Sequence, residues 1–230
     1  AIFNCAEEDI HVLCKDVGGG FGMKIFLFPE YVVALYAARK LGRPVKWISD
    51  RSEAFLSDSH GRDHVSHLQL ALDEDASFLG LRVNTIANLG AYLSNFSPFV
   101  ATDAGVSMLV GCYTIPTAAV NVQGVFTNTA PVDAYRGAGR PEAIYAIERL
   151  IDAAAYDLGL TPDEIRRRNF IPASAMPYDT ALGASYDSGE FEQNLNHALK
   201  LSNWAAFAVR RETAKAQGKL RGIGLASYIE

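Results

Sequence analysis

The chain has 230 residues, of which 49% are hydrophobic and 20% charged, so it can bury a substantial core and is not predicted to be disordered. Its 21 Lys and Arg against 26 Asp and Glu give a net charge of −5, and no basic run is interleaved with aromatic residues, so no nucleic-acid partner is predicted. The apolar runs are too short and interrupted to span a membrane, and AIFNCAEED shows no export signal.

The first 130 residues are predicted to be rich in strands. A short strand over 11–17 leads into the glycine-rich stretch DVGGGFGMK, and a helix follows at Pro29–Leu41, ended by Gly42. A buried strand is predicted at PVKWIS, and then a short helix, because Asp50 and Glu53 have the spacing of a capping box. Two longer strands, HVSHLQLALDED and FLGLRVNTIANLGAY, should form a hairpin, and AVNVQGVFTN should form a third strand.

From residue 131 onward the apolar spacing becomes that of helices. In PEAIYAIERLIDAAAYDLG the apolar positions recur at Ile144, Ile147, Leu150, Ile151 and Ala154. Another helix should begin after Thr161, with Pro162 at its first position and Glu164 completing a capping box. A loop-rich segment, two helices and a closing strand should follow. The order predicts an α+β fold, with antiparallel hairpins in a strand-rich part at 1–130 and a helix-rich part at 131–230.

The cysteines and histidines do not have the spacing of a side-chain metal site. Cys5, Cys14 and Cys112 are odd in number and far apart, which predicts reduced thiols in a cytoplasmic protein rather than a disulfide framework. The three histidines of HGRDHVSH would share one face only in a helix. The segment alternates like a strand from the second histidine onward, which points the second and third to opposite faces.

The glycine-rich stretch can present backbone N–H groups to a ligand, because glycines adopt conformations closed to other residues and carry no obstructing side chain. A nucleotide phosphate loop would end in Gly-Lys-Ser/Thr, but here Lys24 lies between Met23 and Ile25. A dinucleotide-binding fingerprint would need a glycine where Met23 stands. Two interpretations remain, a plain tight turn or a cradle for another electron-rich group.

A second loop, DAYRGAGRPEA, places Arg136 and Arg140 around two glycines just before the helix that starts near Pro141. A helix N-terminus offers free amides and a partial positive charge, and guanidinium groups add further donors, so the pattern is typical of an anion site. A helix-entry turn with solvated arginines is the alternative. The presence of two donor-rich loops in one chain favours a ligand-binding role for both over the two plain turns.

Together, VGGGFGMK and AYRGAGRPEA resemble the molybdenum-binding large subunit of the xanthine dehydrogenase and aldehyde oxidase family. The second loop is most similar to carbon monoxide dehydrogenase-like large subunits. The likeness extends over nearly the whole chain, through RPVKWISDRSEAFLSDSHGRDH, NLGAY and EIRRRNFIP. It implies that 1–230 is an excerpt of a longer chain, a fragment of a larger molybdopterin-binding domain.

The resemblance implies that both loops border a molybdenum ion held by a pterin dithiolene. The positions that carry over as cofactor-binding are Gly19, Gly20, Phe21, Gly22, Ala134, Tyr135 and Arg136. Phe21 and Arg136 are expected in the immediate environment of the metal. Backbone amides and a guanidinium would there stabilise negative charge that develops during the reaction.

The implied activity is the oxidative hydroxylation of an aldehyde or N-heterocycle with water. The resemblance further implies molybdopterin in its cytosine dinucleotide form, an iron–sulfur small subunit with 2Fe-2S clusters, and an FAD medium subunit in a hetero-oligomer. The general-base glutamate and a metal-side glutamine of the family lie outside these residues, so no catalytic residue is assigned, and the excerpt alone is expected to be inactive. A molybdopterin carrier or insertion protein and a purely structural subdomain are the alternatives.

Three positions depart from the patterns of particular family branches. Ile25 stands where purine-oxidising members have a glutamate, which argues against a purine held by that carboxylate. Gly137 stands where carbon monoxide dehydrogenases have a copper-binding cysteine, which argues against a copper–molybdenum site. Ala138 stands where members that oxidise aromatic compounds often have phenylalanine, which implies a more open substrate pocket.

Overall fold

A three-stranded sheet occupies the middle of the chain. In the computed structural model, which describes residues 2–229, β1 (His64–Leu72) pairs antiparallel with β2 (Phe78–Gly90), and β2 pairs in parallel with β3 (Ala118–Phe126). The predicted hairpin is therefore confirmed. The third strand is also present, but its pairing is parallel and so lies outside the hairpin pattern expected for this half of the chain.

The connection between β2 and β3 contains a helical segment, since two parallel strands cannot be joined by a tight turn. A short helix α3 (Ser97–Phe99) continues directly into a π-helical turn at Val100–Ala104. Such turns are uncommon and frequently lie next to functional sites. Here the π-helical turn contacts the second glycine loop, as described below.

Two helices precede the sheet, as predicted. Helix α1 (Pro29–Leu41) ends at Gly42, whose φ of 63° is in the left-handed region that closes many helices. Helix α2 (Arg51–Ser57) begins after Asp50, whose carboxylate accepts a 2.8 Å hydrogen bond from the Glu53 amide. Single 3₁₀ turns lie at Glu7–Asp9 and Met23–Ile25.

The remaining elements follow the sheet and are mostly helical. They are α4 (Arg140–Leu158), α5 (Pro162–Asn169), a 3₁₀ turn (Ala173–Ala175), the hairpin β4 (Tyr178–Asp179) and β5 (Ser185–Tyr186), α6 (Phe191–Leu201), a 3₁₀ turn (Trp204–Ala206) and α7 (Phe207–Ala216). The capping box at the start of α5 is complete, because Thr161 and Glu164 each bind the backbone of the other. The α+β class is confirmed.

The core lies between α4 and the sheet. Leu81 and Val83 of β2 and Ile147 and Ile151 of α4 are almost fully buried and belong to one apolar cluster. Burial of each such side chain contributes roughly 1.5–3 kcal/mol relative to exposure. The start of α4, and with it the loop that carries Arg136, is thereby fixed relative to the sheet.

A buried charged group joins α4 to α5 within this core. Arg166, with no exposed side-chain surface, donates to Glu148 at 2.7 Å and to Asp152 at 2.9 Å. The Tyr113 hydroxyl donates to the other Glu148 oxygen, and burial raises the pKa of this phenol. The Ser227 amide also donates to Glu148 at 3.0 Å, which ties the last described segment to the core.

Three predicted strands are wrong. Residues 11–17, 44–49 and the described part of the closing strand, 222–229, have no regular strand structure. A strand forms only when its backbone donors and acceptors find a neighbouring strand, and these segments find none within residues 2–229. Several apolar residues that suggested strands are instead exposed, among them Leu13 at 90% and Ile48 at 70%.

The other sequence expectations concern cysteines and membrane spans. Cys5, Cys14 and Cys112 are all free thiols, as predicted, and only Cys112 is buried. Between residues 2 and 229, no helix combines the length and apolar character that crossing a bilayer requires.

Candidate functional site

The glycine-rich stretch forms an irregular loop that ends in a 3₁₀ turn. Gly19, Phe21 and Gly22 have φ values of 120°, 51° and 79°, conformations that L side chains rarely adopt. The Lys24 amide donates to the Gly20 carbonyl at 3.2 Å, and the 3₁₀ turn at Met23–Ile25 closes the loop. Gly19 and Gly22 are therefore required by the backbone path itself.

The second loop has three consecutive residues with positive φ, namely Gly137 at 87°, Ala138 at 37° and Gly139 at 90°. Gly139 is also needed for space. A Cβ atom there would lie 2.6 Å from the Val100 carbonyl oxygen and 2.7 Å from the Gly105 amide nitrogen. The loop can therefore lie directly against the π-helical turn only because this position is glycine.

The structure brings the two loops together, although they are far apart in sequence. The Arg136 amide donates to the Phe21 carbonyl at 3.0 Å. A Cβ atom at Gly22 would lie 3.5 Å from the Ala134 carbonyl oxygen and 3.7 Å from Tyr135 Cα. These predicted residues thus form one surface, and Gly19 and Gly20 approach it along the same loop without contacting the second loop themselves.

Donors are available on this surface. Within residues 2–229, the N–H groups of Gly19, Gly20 and Gly22 donate no hydrogen bond to the backbone. The Arg136 side chain is exposed. The buried Arg140 Nε has no hydrogen-bond partner in the described part of the chain. The glycine-loop amides and the exposed Arg136 guanidinium together suit an anionic or acceptor-rich ligand.

Sequence reasoning missed the segment between α2 and β1, which contacts both loops. Asp58 binds Lys24 next to the glycine loop, with both carboxylate oxygens within 2.8 Å of the ammonium. The Arg62 guanidinium lies 5.0 Å from the centre of the Tyr135 ring and donates to the Arg136 carbonyl. The spacing of the histidines in HGRDHVSH gave no indication of these contacts. The signal that sequence reasoning passed over is Gly61, a glycine placed just before a strand.

Asp133 is a second residue that sequence reasoning missed. It is 1% exposed, and its carboxylate accepts hydrogen bonds from the amides of Ala134 and Phe96. This side chain therefore fixes the start of the second loop to the segment that leads into α3. Asp133 lies three residues before Arg136. The sequence features noted in this loop were its arginines and glycines, and they gave no indication of a role for Asp133.

Two cavities border the site, and Arg62 lines both. One, of about 470 Å³, lies beside both loops and is lined by Met23, Phe55, His60, Arg62 and Tyr135 among others. The other, of about 720 Å³, lies between β1, α4 and the π-helical turn. The smaller cavity gives a ligand access to the surface where the loops meet.

Titratable groups near the second loop are partly shielded from solvent. Burial lowers the pKa of His64, and the carboxylates of Glu142 and Asp63 oppose this shift only in part. Between residues 2 and 229, no three His, Cys, Asp or Glu side chains are grouped so that they could hold a metal ion.

Comparisons with known proteins agree with the geometry. A family model described as the molybdopterin cofactor-binding domain matches residues 1–170. The chain is 37% identical over its full length to the gamma subunit of the 6-hydroxypseudooxynicotine dehydrogenase complex of Paenarthrobacter nicotinovorans. It is 38% identical, over 97% of its length, to the carbon monoxide dehydrogenase large chain of Hydrogenophaga pseudoflava. It spans only 29% and 28% of these two relatives.

A solved structure shows the same fold. Quinoline 2-oxidoreductase from Pseudomonas putida 86 superposes with a TM-score of 0.82 and 39% identity, over 88% of this chain and 26% of that one. The family model covers well over half of the chain, and the identities to both relatives exceed 30%. The chain therefore belongs to the molybdopterin cofactor-binding domain family, as a fragment of the kind found in molybdenum-binding large subunits.

Proposed function

We propose that these residues are part of a molybdenum hydroxylase that oxidises an aldehyde or N-heterocycle with water. The 230 residues then form one fragment of its molybdopterin-binding domain, with a strand-rich part at 1–130 and a helix-rich part at 131–230. The observation that carries the proposal is the hydrogen bond from the Arg136 amide to the Phe21 carbonyl, because it unites the two loops into one donor-bearing surface.

The proposed cofactor site is formed by residues of both loops. They are Gly19, Gly20, Phe21, Gly22, Ala134, Tyr135 and Arg136. The free amides of the glycine loop and the unsatisfied Arg140 donor suit a phosphate ester of the pterin type, in its cytosine dinucleotide form. When bound, the molybdenum cofactor supplies the two-electron oxidation that accompanies hydroxylation of the substrate carbon.

The chain's own residues contribute orientation and charge stabilisation. Backbone amides at Gly20 and Gly22 hold acceptor atoms in place, and the exposed Arg136 guanidinium stabilises negative charge as it develops beside Phe21. Both groups are attached to backbone that hydrogen bonds already hold, so little reorganisation is needed when a ligand binds.

Three positions restrict the substrate. Ile25, 68% exposed, presents an apolar surface where a carboxylate would be needed to hold a purine. Gly137 has no thiolate for copper, so carbon monoxide is not the proposed substrate. Ala138 leaves space beside the second loop, which suits a bulky aldehyde or a fused N-heterocycle.

The proposed assembly is a cytoplasmic hetero-oligomer. In this proposal, 2Fe-2S clusters on an iron–sulfur small subunit and FAD on a medium subunit would accept the electrons. Two of the similar proteins are named as a complex subunit and as a large chain, which supports a multi-subunit enzyme. Nucleic acid has no part in this proposal.

Arg136→Ala in the full-length protein tests the function. The control is Arg211→Ala on α7, where the guanidinium is 57% exposed and far along the chain from either loop. Turnover of aldehydes and N-heterocycles is measured with an artificial electron acceptor and normalised to bound molybdenum. Loss of one such donor should lower kcat by roughly 10²–10³-fold, while the control stays at the wild-type rate.

Two results would contradict the proposal. Unchanged turnover in Arg136→Ala would remove Arg136 from the site. Stoichiometric molybdenum with no turnover of any compound in the panel would favour the alternative of a molybdopterin carrier.

A further inference from the structure

We propose that the segment Asp58–Arg62 holds the two loops in register, and that Arg62 is a positioning residue that directs the Arg136 guanidinium. This inference rests on the proposed function, because it assigns a task to Arg62 only if Arg136 acts in the site. The segment is five residues of loop between α2 and β1, and it contacts both glycine loops.

At its first residue the segment holds the glycine loop. Asp58 is 8% exposed, and its carboxylate accepts hydrogen bonds of 2.7 and 2.8 Å from the Lys24 ammonium. The same ammonium lies 4.6 Å from the centre of the Phe28 ring. Lys24 is therefore held on two sides, and the 3₁₀ turn that closes the glycine loop is fixed to the end of α2.

In its middle the segment pairs with the second loop through the backbone. The His60 amide donates to the Pro131 carbonyl, and the Asp133 amide donates to the His60 carbonyl, both at 2.8 Å. These two bonds form a parallel bridge between His60 and Val132. The approach to Arg136 is thus aligned with the same five residues that hold Lys24.

At its last residue the segment holds the second loop by a side chain. The Arg62 guanidinium donates to the Arg136 carbonyl, lies over the Tyr135 ring, and has its Nε 3.7 Å from a Glu142 oxygen at the start of α4. A planar guanidinium can donate to a backbone carbonyl and lie near a carboxylate while it stacks on a ring. The neighbouring Gly61 makes this possible, because a Cβ atom there would lie 2.8 Å from Tyr135 Cβ.

Arg136 is consequently held on both sides of its Cα atom. Its amide donates to the Phe21 carbonyl, and its carbonyl accepts from Arg62. Its side chain remains exposed, so the direction in which that side chain leaves the loop is set by these two backbone bonds. Loss of Arg62 removes the hydrogen bond to the Arg136 carbonyl, so the Arg136 backbone is held on one side only. Small displacements of a group that acts on the reaction have large effects on rate.

The test compares Arg62→Ala and Arg62→Lys with Arg136→Ala in the full-length protein. Arg82→Ala is the matched control, since Arg82 lies on the exposed face of β2 and makes only a 3.4 Å hydrogen bond to Gln69. Two quantities are measured, kcat per bound molybdenum and the hydrogen-exchange rate of the Arg136 amide. The second is measured on the molybdenum-free protein, so it depends neither on turnover nor on how much cofactor each variant holds.

We expect Arg62→Ala to lower kcat by roughly 100-fold with little change in KM, and to speed exchange of the Arg136 amide. Arg62→Lys keeps one charged donor and should recover part of the rate. Combined with Arg136→Ala, the Arg62→Ala change should lower kcat no further, because both act through one group. Arg82→Ala should match the wild type in both measurements.

The results separate this inference from the proposed function. If Arg136→Ala abolishes turnover but Arg62→Ala and Arg62→Lys keep the wild-type kcat and exchange rate, the role of Arg62 is refuted and the proposed function stands. If Arg136→Ala leaves turnover unchanged, Arg136 has no role in the site, and Arg62 loses its role as a positioning residue with it. The proposed function itself fails if the molybdenum-loaded wild type turns over no compound in the panel. If Arg62→Ala does not fold, Arg62→Lys decides by the same two measurements.

Discussion

Replacement of Gly139 by alanine should displace the second loop from the π-helical turn. The new Cβ atom would lie 2.6 Å from the Val100 carbonyl oxygen and 2.7 Å from the Gly105 amide nitrogen. Both are backbone atoms, so no side-chain rotation can relieve the overlap. The positive φ of 90° costs an alanine roughly 1–2 kcal/mol, and overpacking adds roughly 1–3 kcal/mol. The expected loss of stability is therefore roughly 2–5 kcal/mol.

Gly159→Ala is the matched control for this prediction. Gly159 ends α4 with a similar positive φ of 68°, but nothing lies within 4 Å of its Cβ position. It should lose only the conformational part, roughly 1–2 kcal/mol. Native-state hydrogen exchange reports the local free energy of opening around each substitution. Equal losses in the two variants, or protection of Val100–Ala104 and the first turn of α4 that is unchanged in Gly139→Ala, would refute the reasoning.

Three further predictions concern buried groups. Arg166→Ala leaves Glu148 as an unpaired buried carboxylate and should cost roughly 3–5 kcal/mol, seen as lost exchange protection in α4; a loss below about 1 kcal/mol would contradict this. Burial raises the pKa of Cys112 to about 12, so its thiol should react slowly with iodoacetamide. After treatment at pH ~8.5, peptide mapping should find the two exposed cysteines alkylated and Cys112 intact. Early labelling of Cys112 would be evidence against a closed core. Burial holds the pKa of folded His64 below its unfolded value of 6.5. Below pH 6.5 the unfolded state therefore binds more protons than the folded state, and stability falls as the pH drops through this value. The stability of His64→Asn should fall less steeply, and a pH profile identical to that of the wild type would refute this role of His64.

Local sequence signals determined the helices and the hairpin. The helical spacing of Ile147 and Ile151 predicted α4, and the capping residues Thr161 and Glu164 predicted the start of α5. The alternation around His64 predicted β1 and its hairpin partner. In each case the deciding interactions lie within a few residues of one another, so a pattern in the sequence can represent them.

The failures concern interactions between distant residues. The segment 11–17 has strand-like composition, but a strand also needs a partner, and composition does not specify one. The parallel pairing of β2 with β3 depends on a crossover through the π-helical turn, and no local sequence pattern predicted that crossover. The helices and the hairpin, which have local signals, were predicted correctly, and the strand predictions that depended on a partner distant in sequence were wrong or incomplete.

The candidate site was likewise predictable from the sequence only in part. Its two loops were found from their glycines and arginines, because backbone freedom and donor groups are visible in residue types. The bond between Arg136 and Phe21 and the contacts of Asp58 and Arg62 depend on the folded arrangement. Arg62 in particular has an ordinary sequence context, and only its position between the two loops identifies it.

The location of molybdenum in the full-length protein tests the central claim most directly. Anomalous diffraction at the molybdenum absorption edge would locate the metal independently of any assumed ligand. The account predicts one molybdenum peak beside the Arg136 guanidinium and the backbone of Phe21 and Gly22. A molybdenum peak elsewhere in the protein, with these two loops in contact and facing only solvent or protein, would contradict it.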